Sequence, residues 1–248
     1  MRSSATSSAR PSGSEGAPRA KASPRLRRRP QLSEEVAAHL RGQIMTAAIR
    51  PGEYVRMDET AERLGVSVTP VREALLTLRG EGMVNLAPHR GYIVAELSRT
   101  DVEDLFWLQG EIAVKLALRT AAAITPEQIA DLEWHNQQLR SALGAGDSSQ
   151  VAGAEFEFHR VHNHIASGGK LAWFLLSATR YTPAQLYATD PDWGEVAVDS
   201  HAKLIEAYRT GDREQVVEQT RRQFLDGAAR LTRHLESTGI WEDATDDG

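Results

Sequence analysis

One stretch restricts the fold of this chain more than any other. It runs from Asp58 to Tyr92 and reads DETAERLGVSVTPVREALLTLRGEGMVNLAPHRGY. Two apolar patterns meet at Gly65: Ala61 and Leu64 precede it, and Val71, Leu75 and Leu78 follow at helical spacing. Gly65 supplies the positive φ that a tight turn needs and other residues resist. Ser67 or Thr69 stands where a helix cap belongs, and Pro70 falls in the first turn, where a missing N–H costs little. Helix, tight turn, helix is the geometry that lays a second helix into a DNA major groove. That second helix opens with small polar residues and Arg72, so Ser67, Thr69 and Arg72 are candidate contacts to phosphates and base edges. The competing role for Arg72 is an ion pair with Glu73 or Glu62. After Gly80-Glu81-Gly82, the runs Met83–Leu86 and Tyr92–Val94 read as two short strands. They flank a basic hairpin wing that carries Arg90 and Gly91.

The flanks fit around this stretch. Residues 1–30 are rich in Ser, Ala, Pro, Gly and Arg and nearly lack large apolar side chains, so they are expected to be a disordered basic arm. Ser33 to Ala48 reads as a helix with Val36, Leu40 and Ile44 on its apolar stripe. Beyond Ala95 no strand pattern occurs. Ser98-x-x-Asp101 and Thr100-x-x-Glu103 both have capping-box form ahead of a helix to about Ala123. Thr125-Pro126-Glu127-Gln128 opens the next helix, and Gly144–Asp147 turns the chain into a third that ends near Ser167. Gly168-Gly169 breaks that one, Leu171 to Tyr181 starts another, and Thr182 to Trp193 holds short helical pieces. Val196–Arg209 and a helix capped by Asp212, running to about Leu235, complete the set. The fold class predicted is mainly α. An N-terminal winged helix-turn-helix with a small β-hairpin wing (31–96) precedes an all-α helical bundle (97–237) and an acidic tail (238–248).

Charge is segregated along the chain. The net charge is −5, yet residues 1–30 hold eight Arg or Lys against one acid. Residues 31–95 hold seven Arg against eight acids, which leaves −11 for the rest. Acid is therefore concentrated in the half expected to stay off phosphates. The chain has no cysteine, which excludes disulfides and thiolate metal sites. No apolar run approaches the roughly 20 residues that span a bilayer, and no secretory apolar segment follows the start, so a cytoplasmic protein without a membrane partner is expected.

Several blocks in fixed order give the first half a family likeness. Pro51-Gly52-Glu53, Ala61 to Ser67, Thr69 to Leu75, Glu81-Gly82 and Arg90-Gly91 resemble the winged-helix domain of the GntR family of bacterial transcription regulators. Many members carry arginine where this chain has Val68, an apolar side chain that cannot make a bidentate contact to guanine. It is left either to meet a thymine methyl or to pack. The second half, through Glu155-x-x-x-His159, Asp199-Ser200-His201 and Gly211-Asp212, resembles the helical effector domain of the FadR subgroup.

Glu155 and His159 are four residues apart, so they leave one face of a helix. In a metal-binding member of the subgroup such a pair shares a divalent ion with two histidines from later helices. The resemblance carries those positions to His201 and to Gln223, the second of which is not a histidine. A Glu155, His159, His201 and Gln223 set implies zinc, nickel or manganese, with His162 as a substitute ligand one turn along and His164 pointing elsewhere. The alternatives are a core hydrogen-bond network, or a metal-free effector pocket walled by Phe106, Trp107, Trp173, Phe174 and Tyr187. The subgroup's carboxylate-clamping arginine aligns with Gln109.

These readings imply a homodimeric repressor that binds double-stranded operator DNA and is released by a small-molecule effector. Two other functions compete. One is a metal-dependent enzyme tethered by a DNA-binding domain, with Glu155 as base; no His-Glu-x-x-His motif, phosphate loop or nucleophile elbow supports it. The other is an architectural DNA-binding protein with an inert bundle.

Overall fold

The computed structural model describes residues 30–88 and 90–242. Apart from Pro30, the predicted basic arm lies outside the described residues, as do His89 and residues 243–248.

Helix α1 (Pro30–Met45) buries Val36, Ala37, Leu40 and Ile44 on one stripe. Helix α2 (Met57–Leu64) ends where Gly65 takes φ +65°, and the N–H groups of Gly65 and Val66 return to the carbonyls of Glu62 and Ala61. This left-handed cap makes the tight turn. Helix α3 (Val68–Gly80) then packs against α1 through Val71, Ala74, Leu75 and Leu78. The wing is a three-stranded antiparallel sheet in the order β1-β3-β2, built from β1 (Tyr54–Val55), β2 (Val84–Ala87) and β3 (Gly91–Val94). The sequence predicts only the β2–β3 hairpin. A two-residue strand has no alternation to read; β1 exists because Val55 pairs with Tyr92 and the Glu53 carbonyl accepts from Val94 N–H at 2.9 Å. Gly91 opens β3 at φ +96°, and an added Cβ would stand 3.1 Å from the Val55 carbonyl oxygen.

The rest of the described chain is helical. Helix α4 (Arg99–Ala123) starts at the Ser98/Asp101 capping box, while Thr100 and Glu103 lie inside the helix and cap nothing. Helix α5 (Pro126–Ala145) starts at the Thr125/Gln128 box, and Asp147 caps α6 (Ser148–Ile165). Helix α7 (Gly169–Ala178) runs into a 3-10 turn, Thr179–Tyr181, and then the short α8 (Ala184–Ala188). Helix α9 (Pro191–Thr210) begins at Pro191, not at the predicted Val196. The Asp190 carboxylate accepts from the N–H groups of Asp192 and Trp193, and Pro191 fills the first helical position. Asp212 caps α10 (Arg213–Ser237) as predicted.

Helices α4 and α10 pack by reciprocal notches. Gly110 faces Phe224, and Gly227 faces Phe106, so position rises along α4 as it falls along α10 and the pair is antiparallel. The lower part of this pair contributes Val102, Phe106, Leu231 and Leu235 to the same core that holds Leu40, Leu75 and Leu78. The two halves therefore share one continuous apolar interior. Polar ties reinforce the join: the Tyr181 hydroxyl donates to the Glu81 carbonyl at 2.6 Å, and Arg50 donates to the Thr238 carbonyl at 2.7 Å. Trp241 Nε1 donates to the Leu97 carbonyl at 2.7 Å, so the first residues assigned to the acidic tail are held against the domain junction.

Candidate functional site

The winged-helix half presents the start of α3. Ser67 occupies the cap position in extended conformation (φ −75°, ψ 162°), but its side chain makes no capping bond. Ser67, Thr69 and Arg72 are all exposed, and no acid lies in the first turn of α3. The partial positive charge of that helix end is thus uncompensated, the condition that favours an anion there. Among the described residues Arg72 has no ion-pair partner; neither Glu62 nor Glu73 holds it. Val68 is half-buried against the core of that half.

On the wing, Arg90 donates to the Tyr54 hydroxyl at 3.3 Å, and its guanidinium sits 5.9 Å from the Tyr54 ring centroid. Tyr54 is an exposed residue that sequence reasoning missed; its only signal was membership of β1, which was itself silent. Gly91 is brought beside Arg90, with its backbone role set by the close approach to Val55.

The second site is a cavity of about 1010 Å³ among α4, α6, α7, α9 and α10. Glu155 and His159 enter it from α6 and His201 from α9, with donor atoms all within 4.8 Å of one another. His159 Nε2 lies 3.0 Å from Glu155 Oε1, and His201 Nε2 lies 3.8 Å from Glu155 Oε2. The orientation of His201 is fixed from behind. Asn136 Nδ2 donates to the Val198 carbonyl at 3.0 Å, which leaves Asn136 Oδ1 to accept from His201 Nδ1–H at 3.3 Å. With its proton on Nδ1, His201 turns an Nε2 lone pair toward a carboxylate oxygen. Phe158 stacks on the same imidazole at 3.7 Å between centroids.

Burial holds the His201 pKa down to about 4, against an opposing pull from Glu155 and with help from His159, so the ring is neutral near pH 7. Burial pushes the Glu155 carboxyl up, but His201 and His159 together outweigh it and the net shift is downward. Glu155 is thus a carboxylate, and its buried Oε2 has no hydrogen-bond partner among the described residues. Two lone-pair donors aimed at each other fit a cation better than they fit one another. A carbonyl-anchored imidazole is also the usual support of a metal-ligating histidine. The residues present therefore suit a divalent ion held by Glu155, His159 and His201.

Gln223, from α10, lines the same cavity, and its Nε2 is buried without a partner. In this orientation Gln223 presents a hydrogen-bond donor to the cavity, not a metal-ligating oxygen. His162 is not a substitute ligand. It is buried, its Nε2 bonds the Tyr208 hydroxyl, and its Nδ1 lies 3.2 Å from Asn163 Oδ1. His164 stays outside the cluster, exposed at the cavity's edge. Of the predicted apolar walls, Phe106, Trp173 and Tyr187 line the cavity, whereas Trp107 and Phe174 are more than half exposed elsewhere. Gln109 is buried and fully used: its Nε2 donates to the Ala178 carbonyl and its Oε1 accepts from Thr182 Oγ1, each at 3.2 Å. Asn136 was not foreseen; no spacing rule links it to a histidine 65 residues away.

Comparison with known proteins places the two halves. Residues 32–94 match the model of bacterial regulatory proteins of the gntR family, and residues 104–226 match the FCD domain. The chain is 29% identical over 120 residues to the HTH-type transcriptional regulator McbR of Escherichia coli K12, an alignment spanning 48% of this chain and 54% of that protein. It is 26% identical over 207 residues to the HTH-type transcriptional repressor RspR of the same strain, spanning 82% of this chain and 90% of that one. The solved structure of E. coli McbR/YncC superposes with a TM-score of 0.64 at 22% identity, covering 82% of this chain and 98% of that one.

Proposed function

The chain belongs to the gntR family of bacterial regulatory proteins and couples its DNA-binding domain to an FCD domain, the build of a ligand-responsive transcription regulator; from that premise we propose a homodimeric repressor. Each subunit reads one half of a palindromic operator, with Ser67, Thr69 and Arg72 at the groove and phosphates and Arg90 and Gly91 on the wing. A small effector in the helical cavity releases it. Glu155, His159 and His201 hold a zinc, nickel or manganese ion there, with Gln223 beside them, and the ion offers a Lewis-acid anchor to the effector. The exposed Trp107, Leu108 and Leu225, on the paired helices α4 and α10, offer the apolar area that a second copy would cover.

One observation carries the reading. Phe106 and Tyr187 line the cavity and also belong to the core that runs into the reading head. Close-packed interiors transmit displacement, so a ligand that repacks these two side chains biases the position of α3. Release requires the ligand to bind the DNA-competent and incompetent arrangements with different affinity. The test is selection of bound sites from random duplexes, followed by a metabolite screen for release with each metal. A purified chain that prefers no duplex over random competitor at low ionic strength overturns the proposal.

A further inference from the structure

The cavity also indicates what kind of molecule fills it. We infer that its ligand is an amphipathic molecule, with an uncharged head that both donates and accepts hydrogen bonds and an apolar body reaching the cavity mouth. This rests on the cavity being the effector site.

The head is defined by what the cavity leaves unpaired. Gln219 and Ser200 are each 7% exposed, and Gln219 Oε1, Ser200 Oγ and Gln223 Nε2 are buried without partners while lining the cavity. Gln219 Nε2 donates to Gln215 Oε1 at 3.2 Å, so its oxygen is the amide atom left without a partner. An oxygen acceptor requires a donor on the ligand, and Gln223 Nε2 requires an acceptor. A carboxylate supplies acceptors alone and leaves Gln219 Oε1 orphaned, at the cost of an unmade buried bond. A hydroxyl or a carboxamide supplies both.

Apart from the ion at Glu155, cationic partners for an acid are also scarce: no lining side chain offers a buried one. Among the described lining residues, Lys203 is paired with Asp199 and Arg160 with Glu157, while the unpaired Arg222 is exposed. Gln109 has both amide ends engaged.

The body is defined by the mouth. Phe156, Trp173, Leu176 and Val196 all line the cavity and are 43–60% exposed. Large apolar side chains gathered at an opening gain from a ligand that covers them. At about 1010 Å³ the space also lies at the upper end for drug-sized ligands.

The test uses matched probes on the full chain by calorimetry: phenol, 4-phenylphenol, biphenyl-4-carboxylate and citrate, first in EDTA and then with zinc. We expect 4-phenylphenol to bind one per chain, about tenfold tighter than phenol and, in EDTA, about tenfold tighter than biphenyl-4-carboxylate, each ratio being about 1.4 kcal/mol. Trp173→Ser, at an exposed position, should erase the advantage over phenol and leave phenol unchanged. Gln219→Leu should erase the advantage over the carboxylate. Equal affinity for phenol and 4-phenylphenol overturns the inference, as does citrate binding more tightly than 4-phenylphenol once zinc is present. Either result would leave operator selection intact, whereas loss of duplex preference would sink the regulator reading whatever the probes do.

Discussion

At Arg72 the physical case is an exposed guanidinium with no ion-pair partner among the described residues, beside a helix start that carries no acid. Replacing it by alanine removes nothing that holds the fold. Arg72→Ala is therefore expected to keep its melting temperature, weaken operator binding, and lower the slope of log affinity against log salt by about one. Filter binding at several salt concentrations reads this, and an unchanged slope removes Arg72 from the phosphate contacts. Asn136 supports a different residue-scale expectation. Without its oxygen, His201 is free to move its proton to Nε2 and lose the lone pair that faces Glu155. Asn136→Leu should weaken zinc binding roughly 10–100-fold, measured by competition with a chelating dye. Zinc affinity unchanged in a folded variant would contradict the cluster. Glu155 and His159 were legible because four residues on a helix make one face. His201 came only through family likeness, and Asn136 came through nothing, because contacts between α5 and α9 have no local signature.

Among the elements, the caps were the most legible and the short pieces the least. Ser98, Thr125 and Asp212 each announced a helix start, because a cap is a local bond between residues two or three apart. Asp190-Pro191 carried the same signal and should have moved the start of α9 upstream. Strand β1 exists only through its partner strand elsewhere in the chain, and the 3-10 turn is fixed to α3 by a bond between residues far apart in sequence. The α4–α10 crossing was likewise invisible, since a glycine in a helix does not reveal which ring fills its notch. Gly227→Ala puts a Cβ 2.8 Å from Phe106 Cε1, so it is expected to lower stability by about 1–3 kcal/mol in urea unfolding. A neutral effect would mean that Phe106 has room to swing into the cavity. On α6, burial holds His162 down to about 3, helped by His159 and His201 and opposed by its bond to Asn163. A histidine whose folded pKa lies below its unfolded value binds fewer protons when native. Its contribution is complete above the unfolded value near 6.5 and is lost as pH falls toward 3. His162→Gln, which can still accept from Tyr208, should therefore show a flatter loss of stability than the parent between pH 6.5 and 4. Parallel pH curves would refute the burial argument.

For the molecule as a whole, the segregation of charge was readable from composition, and it agrees with an acidic bundle behind a reading head. The join was not readable, because it is made by side chains that meet only in the folded chain. Glu81, at the end of α3, accepts from Arg41 at 2.9 Å through both of its oxygens. Its carbonyl takes the Tyr181 hydroxyl, and Arg180 lies 3.4 Å from its carboxylate. Thr179 and Thr182, which bracket this pair of residues, line the cavity, and Thr182 is tied to Gln109 of α4. The 3-10 turn thus touches the cavity on one side and the far end of α3 on the other. A ligand that displaces Thr179 or Thr182 pulls on Glu81 through Tyr181. Tyr181→Phe deletes that one bond, worth about 0.5–1.5 kcal/mol, and keeps the ring in the core. Operator affinity without ligand is expected to change less than about threefold. The ratio of operator affinities with and without a saturating cavity ligand should shrink by about two- to tenfold, as the same free energy leaves the coupling. Fluorescence anisotropy on a labelled operator measures both numbers. If the ratio stays at its parental value while the ligand still binds, the shift travels through Phe106 and the shared core, and the turn is only a rivet.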